Sequence, residues 1–467
     1  MRYEDLKYLA VPLPEAIEKE KWGGCFENAR KRINEYLQDE KTDYALRCRL
    51  ELELGNLRNL ESRYVITPEE ALQIMNERIP DMTSDELEKL RMEDKADWIY
   101  VNGEVRYIDC FDATLYKVYP EVWNRTKEGD TSNYDLIEDY IHSKTDGESS
   151  TAHIHIRHEL EIAPKALREG KAVRVHMPIP RERSGITNFR LIKCSHQPVA
   201  VSGESDAQPT VYFEETAKAG EVFALEYEFD YTVTYRNLNL LLDTPAYCTD
   251  ADLSAEEERA FAPENMQEEV PHMMFTEQLK TLCKEIVGAE TDDLRKARKI
   301  YDYVTTETDY RFVRDYASID NLSEYCALNR RGDCGVQSLL FITLCRITGI
   351  PAQWESGLEA APDYVGEHDW AKFFIRGIGW LYADLACGAL AYVRKSFDRW
   401  NFFFGNVDPY RIPINDRFQC DFAVKKQHWR LDPYDNQCGE IEYDDCGVYG
   451  DDLVYRYIPI DIHIKCT

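Results

Sequence analysis

Apolar residues recur every three to four positions over the first part of the chain and at alternate positions after about residue 150. The sequence therefore passes from a helical pattern to a strand pattern within one polypeptide. Phe26, Ala29, Ile33 and Leu37 mark one face of a helix, and Gly23-Gly24 separates it from a shorter helical stretch around Ala16 and Ile17. Thr67-Pro68-Glu69-Glu70 supplies a cap residue, a proline at the first helical position and acids in the first turn. It opens a helix carrying Leu72, Ile74 and Met75, and Thr83-Ser84-Asp85-Glu86 opens another in the same way. Near Trp98 the period shortens: two apolar-rich stretches flank Asn102-Gly103, the signal of a tight hairpin. Alternation then dominates from Ala152 to Arg157, Ala172 to Met177, Val211 to Phe213 and Val222 to Phe229, which predicts the short strands of a small sandwich. Helical spacing returns from Phe275 to Val287 and from Leu294 to Thr305. The pattern as a whole predicts an α+β protein in three parts: a mainly helical leader at 1–145, a β-sandwich-like unit at 146–244 and a mixed core at 245–467.

Composition narrows the partners. The 467 residues fit three domains at roughly 150 residues each. With 44% hydrophobic and 12% aromatic residues the chain can build ordinary cores, which excludes wholesale disorder. The 86 acidic residues against 56 basic ones leave a net charge of −30, a field that repels phosphate backbones and anionic lipid, so nucleic acid and membrane surfaces are excluded as partners. No stretch approaches the roughly 18 consecutive apolar residues of a membrane span. The first twenty residues lack a basic region followed by a long apolar one, so a cytoplasmic location is expected. The 14 cysteines are scattered from Cys25 to Cys466, with no C-x-x-C pair and no zinc set among the ten histidines. They read as reduced, buried thiols, and neither a metal nor an organic cofactor is called for.

One cysteine stands apart. Arg331-Gly332-Asp333-Cys334-Gly335 is a turn that delivers Cys334 to the start of an apolar helix through Leu344 and Ile347, closing at Gly349-Ile350-Pro351. A thiol at a helix N-terminus sits at the positive end of the dipole, which favours the thiolate that attacks carbonyls. The flanking Gly335 permits close approach of a substrate backbone. A thiolate nucleophile needs a base and a group to orient it. Thirty-four residues on, a strand-like run begins at His368 and continues through Trp370, and the turn Gly377-Ile378-Gly379 leads into a second strand ending at Asp384. Two strands joined this way pair as a hairpin, which brings His368 and Asp384 together.

The runs Gly332-Asp333-Cys334-Gly335, Glu367-His368-Asp369-Trp370 and Gly379-Trp380-Leu381-Tyr382-Ala383-Asp384 together resemble the transglutaminase-like cysteine-enzyme superfamily. The resemblance is strong over about 270 to 400. It implies a papain/transglutaminase-like core with Cys334 as nucleophile, His368 as general base and acid, and Asp384 as the orienting carboxylate. The chemistry it implies is acyl transfer on peptide or protein amides through a thioester, ending in hydrolysis, with Tyr310 or Gln337 as candidate oxyanion donors and Trp370 and Gly335 beside the substrate groove. The helical leader and sandwich are more like bacterial, peptidase-like members than the animal crosslinking enzymes. Protein-glutamine amine transfer (transglutaminase proper), or a non-catalytic binding scaffold on the same fold, are the alternatives. After Asp384 many members continue Asp-Pro-Thr, whereas this chain reads Asp384-Leu385-Ala386-Cys387-Gly388.

Three other signals read as structural. His153, His155 and His158 fall on a predicted strand whose face is expected to be an exposed edge. The acids from Asp432 to Asp452, including Glu440 and Glu442, read as solvated loops. Trp400, Phe402, Phe403 and Phe404 read as core rather than groove.

Overall fold

The computed structural model describes residues 3–126, 132–242, 254–430 and 434–465. Its helical part follows the capping chemistry. Thr67 and Glu70 form a reciprocal capping box at the start of helix Pro68–Arg78, and Thr83 and Glu86 do the same for Ser84–Met92. Asn102 and Gly103 take φ of 52° and 82°, as the two-residue hairpin between Trp98–Val101 and Glu104–Tyr107 requires. Helices Glu15–Trp22 and Phe26–Gln38 lie where the apolar spacing puts them. Between them and the capping boxes runs the 20-residue helix Tyr44–Arg63. Its buried face includes Arg49 and Glu53, which pair with each other, with Lys21 and with Asp320.

Two four-stranded antiparallel sheets make the sandwich. One runs in the order Leu453–Ile464, Ser149–Ile162, Val222–Thr234, Ile186–Cys194; the other in the order Glu440–Tyr443, Ala172–Pro178, Thr210–Thr216, Ala200–Val201. The first strand of each order comes from the C-terminal end of the chain. Residues 440–464, which the sequence places in the core unit, therefore pair into the sandwich. The reason is that the 14-residue strand Ser149–Ile162 would otherwise present a long open edge, and Leu453–Ile464 covers it along most of its length. The expected boundary at 244/245 falls outside the described residues.

The third part is built on a five-stranded antiparallel sheet in the order Phe404–Gly405, Gly379–Ala383, Tyr364–Ile375, Ala352–Ala361, Arg411–Asn415. Helix Cys334–Ile347 packs against Tyr364–Ile375 and Ala352–Ala361, and strand Leu453–Ile464 of the sandwich meets the same two strands. Residues 335–346 and 368–375 are consequently all buried. One apolar core runs continuously through the sandwich and the five-stranded sheet. Most of the helical leader has a second core, which reaches into the third part through Tyr310 and Ala386 and has Cys334 and Phe312 lying against it.

Candidate active site

Asp333 caps helix Cys334–Ile347: its carboxylate accepts from the Val336 backbone N–H at 3.1 Å and from the Tyr316 hydroxyl at 2.6 Å. The cap places Cys334 at the first helical position, half-buried. The helix terminus favours a thiolate, but it is outweighed here. Burial, and after it the Asp369 carboxylate, push the Cys334 thiol up to about 12 against the opposing pull of His368. The thiol donates to Asp369 Oδ2 at 3.4 Å. The expectation that the helix start would lower this pKa is therefore corrected: burial and the Asp369 carboxylate outweigh the helix terminus and favour the thiol.

The predicted hairpin is present. Tyr364–Ile375 and Gly379–Ala383 pair from Ile375↔Gly379 to Ala371↔Ala383, and Asp384 follows the last pair, diagonal to His368. His368 Nε2 donates to Asp384 Oδ2 at 2.8 Å, which leaves Nδ1 as the ring nitrogen for the thiol. Burial disfavours the imidazolium, yet the Asp384 carboxylate and hydrogen bonds to Asp384 and Cys334 hold His368 well above the ordinary imidazole range. Burial likewise works against the charge of Asp384, which has no exposure, yet His368 and Arg411 hold its carboxyl well below the usual carboxylate range. Asp384 also caps helix Leu385–Val393, accepting from the Cys387 N–H at 2.9 Å.

The other expected site residues divide. Tyr310 is buried beside the turn that precedes Cys334, through the pairing of Gly332 with Tyr310, and its hydroxyl accepts from Lys117 Nζ at 3.5 Å. Gln337 is turned away: its amide donates to Thr308 Oγ1 at 3.0 Å inside the core, so it is not an oxyanion donor. Trp370 is fully buried and donates from Nε1 to Glu355 Oε2 at 2.7 Å, which removes it from any groove wall. A Cβ on Gly335 would come within 2.2 Å of the Tyr316 hydroxyl and 2.8 Å of Asp369 Oδ2. The glycine thus admits side chains of the protein itself, not a substrate backbone.

Four neighbours of the triad were not singled out from the sequence. Asp369 is the acceptor for the thiol, and Gln437 Nε2 ties it down at 3.1 Å while donating to the backbone oxygens of His368 and Gly357, each at 2.9 Å. Arg411 donates from Nε to Asp384 Oδ2 at 3.0 Å and from Nη2 to Cys387 Sγ at 2.9 Å. Cys387 Sγ lies 4.0 Å from His368 Nε2. His368, Asp384 and Cys387 cluster tightly, but the cation they face is the Arg411 guanidinium. An acid inside an otherwise apolar strand was the one available signal, for Asp369. Nothing local marks Arg411 or Gln437.

The set-aside signals also changed. Strand Ser149–Ile162 is internal, not an edge, and its histidines have partners: His153 with Asp230 and His155 with Glu226, each at 3.1 Å. His158 is fully buried, and burial pushes it down to about 3. Glu440 and Glu442 are buried strand residues neutralised by Lys426 at 2.6 Å and Arg174 at 3.1 Å, not solvated loop acids, because the C-terminal strand carries them into the sandwich. Asp432 lies outside the described residues. Phe402, Phe403 and Phe404 are buried, and Trp400 donates to Thr305 Oγ1 at 2.8 Å.

A search of curated protein sequences finds no match. Among solved structures the chain is similar to a candidate cysteine protease from Cytophaga hutchinsonii, at 14% identity over 68% of this chain and 91% of that one, with a TM-score of 0.39. It is also similar to the periplasmic domain of TgpA from Pseudomonas aeruginosa, at 13% identity over 56% of this chain and 94% of that one, with a TM-score of 0.29. A candidate protease from Parabacteroides distasonis matches at 10% identity over 49% of this chain and 42% of that one, with a TM-score of 0.21. The model of the transglutaminase-like superfamily matches residues 280–385. That segment holds Cys334, His368 and Asp384 together on the described helix and hairpin, so residues 280–385 form a transglutaminase-like domain.

Proposed function

We propose that the protein is a cysteine-nucleophile acyl-transfer enzyme acting on peptide or protein amides, with hydrolysis as the outcome. The observation that carries this reading is the cluster of three groups: a thiol at a helix N-terminus, an imidazole that interacts with it, and a buried carboxylate that accepts from Nε2 of that imidazole at 2.8 Å. His368 takes the thiol proton and the sulfur attacks the amide carbonyl carbon. The resulting oxyanion is held by the backbone N–H of Cys334 and, as second donor, the Tyr310 hydroxyl. His368 returns its proton to the leaving nitrogen as the C–N bond breaks, leaving a thioester on Cys334. Water, deprotonated by His368, then releases a carboxylate and regenerates the thiol.

The test is a peptide and protein substrate panel treated with wild type, Cys334→Ala and His368→Ala, read by mass spectrometry in the presence of a labelled primary amine. New carboxyl ends that vanish in both variants are expected. Incorporation of the amine into glutamine side chains instead would convert the assignment to amine transfer. A panel with no Cys334-dependent product at all would leave the fold as a binding scaffold and end the enzymatic reading.

A further inference from the structure

Arg411 is completely buried on the edge strand Arg411–Asn415, and its guanidinium reaches the triad through Nε. Nε donates to Asp384 Oδ2 at 3.0 Å, the same oxygen that accepts from His368 Nε2 at 2.8 Å. Nη2 donates to Cys387 Sγ at 2.9 Å, and Nη1 faces Glu359 at 3.1 Å and Asp408 at 3.5 Å. Asp384 is therefore held by three donors: His368 and Arg411 on Oδ2, and the Cys387 backbone on Oδ1.

The geometry points to Arg411 as a positioning residue for the candidate reaction, a fourth member behind Cys334, His368 and Asp384. It fixes the Asp384 carboxylate and limits how tightly that carboxylate retains the proton on His368. This rests on the acyl-transfer reading above. The physical need is specific. In each half-reaction His368 alternates between imidazolium and neutral imidazole, and a fully buried carboxylate facing only a neutral ring would lack a counter-charge at that stage. A permanent cation on the same oxygen keeps Asp384 ionised in both states. It also offsets part of the attraction that would otherwise make the imidazolium too weak an acid to protonate a leaving amine.

Several charged or titratable groups act on His368 besides Arg411. From its own strand come Asp369, bonded to the thiol, and Tyr364. Cys334 approaches from the nucleophile helix, Asp384 and Cys387 from the helix that follows the hairpin, and Glu359 from the neighbouring strand. Lys117 of the leader acts on Glu359, and Asp408 is paired with Arg411. All of these stay in place when only residue 411 is changed, so a shift on changing it reports the guanidinium.

The experiment is the pH profile of Cys334 carbamidomethylation by iodoacetamide, read site by site by mass spectrometry on the full chain, with folding checked by thermal unfolding. Wild type should show a Cys334 rate that depends on His368; if His368→Ala leaves that rate unchanged, the nucleophile reading itself fails. Arg411→Met removes a positive charge beside Asp384 and so raises the proton affinity of the Cys334–His368 pair, and the acid limb of the profile should move up by one pH unit or more. Arg411→Lys keeps the charge and should bring the limb back to within half a unit of wild type. A purely structural arginine would lower the unfolding temperature without moving the limb. A folded Arg411→Met with the wild-type profile overturns the assignment while leaving the acyl-transfer reading intact. Arg411→Gln, neutral but able to donate to Asp384, replaces the Met variant if that does not fold. If no neutral replacement folds, Arg411 is a structural anchor and the assignment falls.

Discussion

At the scale of single residues, the site combines two opposing influences on one sulfur. The helix N-terminus and His368 favour the thiolate, while burial and the Asp369 carboxylate oppose it, and the opposition prevails in the resting protein. Asp369 follows directly after His368 in the sequence, so the two groups that oppose one another at the sulfur occupy adjacent backbone positions. Asp369→Asn removes the negative charge at nearly constant shape. It should therefore raise the rate of Cys334 alkylation at neutral pH by roughly tenfold for each unit by which the thiol pKa falls. The rate constant of Cys334 modification by iodoacetamide checks this, and an unchanged or slower rate in the folded variant contradicts it. Asp369 left only a weak trace in the sequence, since an acid in a strand ordinarily points to water. Here both faces of the strand are covered, and Gln437 from a distant segment supplies its hydrogen bond.

At the scale of elements, the nucleophile helix and the hairpin were legible because their signals are local. Asp333 caps the helix, Gly349 ends it at φ 86°, and Gly377 and Gly379 turn the hairpin at φ 76° and 102°. Each needs only neighbouring residues to act. Helix Tyr44–Arg63 was not legible, because its buried face carries an ion-paired Arg49 and Glu53 that break the apolar period. Gly335 shows how the same residue type can be read correctly in kind and wrongly in purpose. Its missing side chain makes room for Tyr316 and Asp369 at the start of the helix. Gly335→Ala should destabilise the protein by about 1–3 kcal/mol through overpacking and displace Asp369 from the thiol. Chemical denaturation and the Cys334 alkylation rate measure the two effects; wild-type values for both would contradict it.

At the scale of the whole molecule, the three parts are less separable than their sequence order suggests. The five-stranded sheet and the sandwich share one apolar core, and the C-terminal strands complete the sandwich edges more than 260 positions after the strands they join. A chain ending at Gly439 loses both of those strands and leaves the edge of Ser149–Ile162 open. It should yield little soluble protein, and what is soluble should lack the wild-type unfolding transition; a soluble product with the full transition would contradict the shared architecture. The leader is joined to the third part close to the nucleophile. Thr114 Oγ1 accepts from the Phe312 N–H at 3.2 Å, Lys117 lies over the Tyr310 ring at 4.6 Å, and Arg49 pairs with Asp320 at 2.7 Å. Cys334 therefore sits where the helical leader and the third part meet.

The sequence by itself determined the change from helical to strand periodicity, the capped start of the nucleophile helix and the hairpin that presents His368 and Asp384. All three depend on dihedral preferences and hydrogen bonds among residues close along the chain. Only the tertiary structure decided that Arg411 and Gln437 reach the triad, that Trp370 and Gln337 turn inward, and that the last strands return to the sandwich. Those outcomes depend on which side chains are brought into a shared, water-free space by segments far apart in sequence. There the energy of an unpaired charge or an open edge is settled by whatever partner the fold supplies.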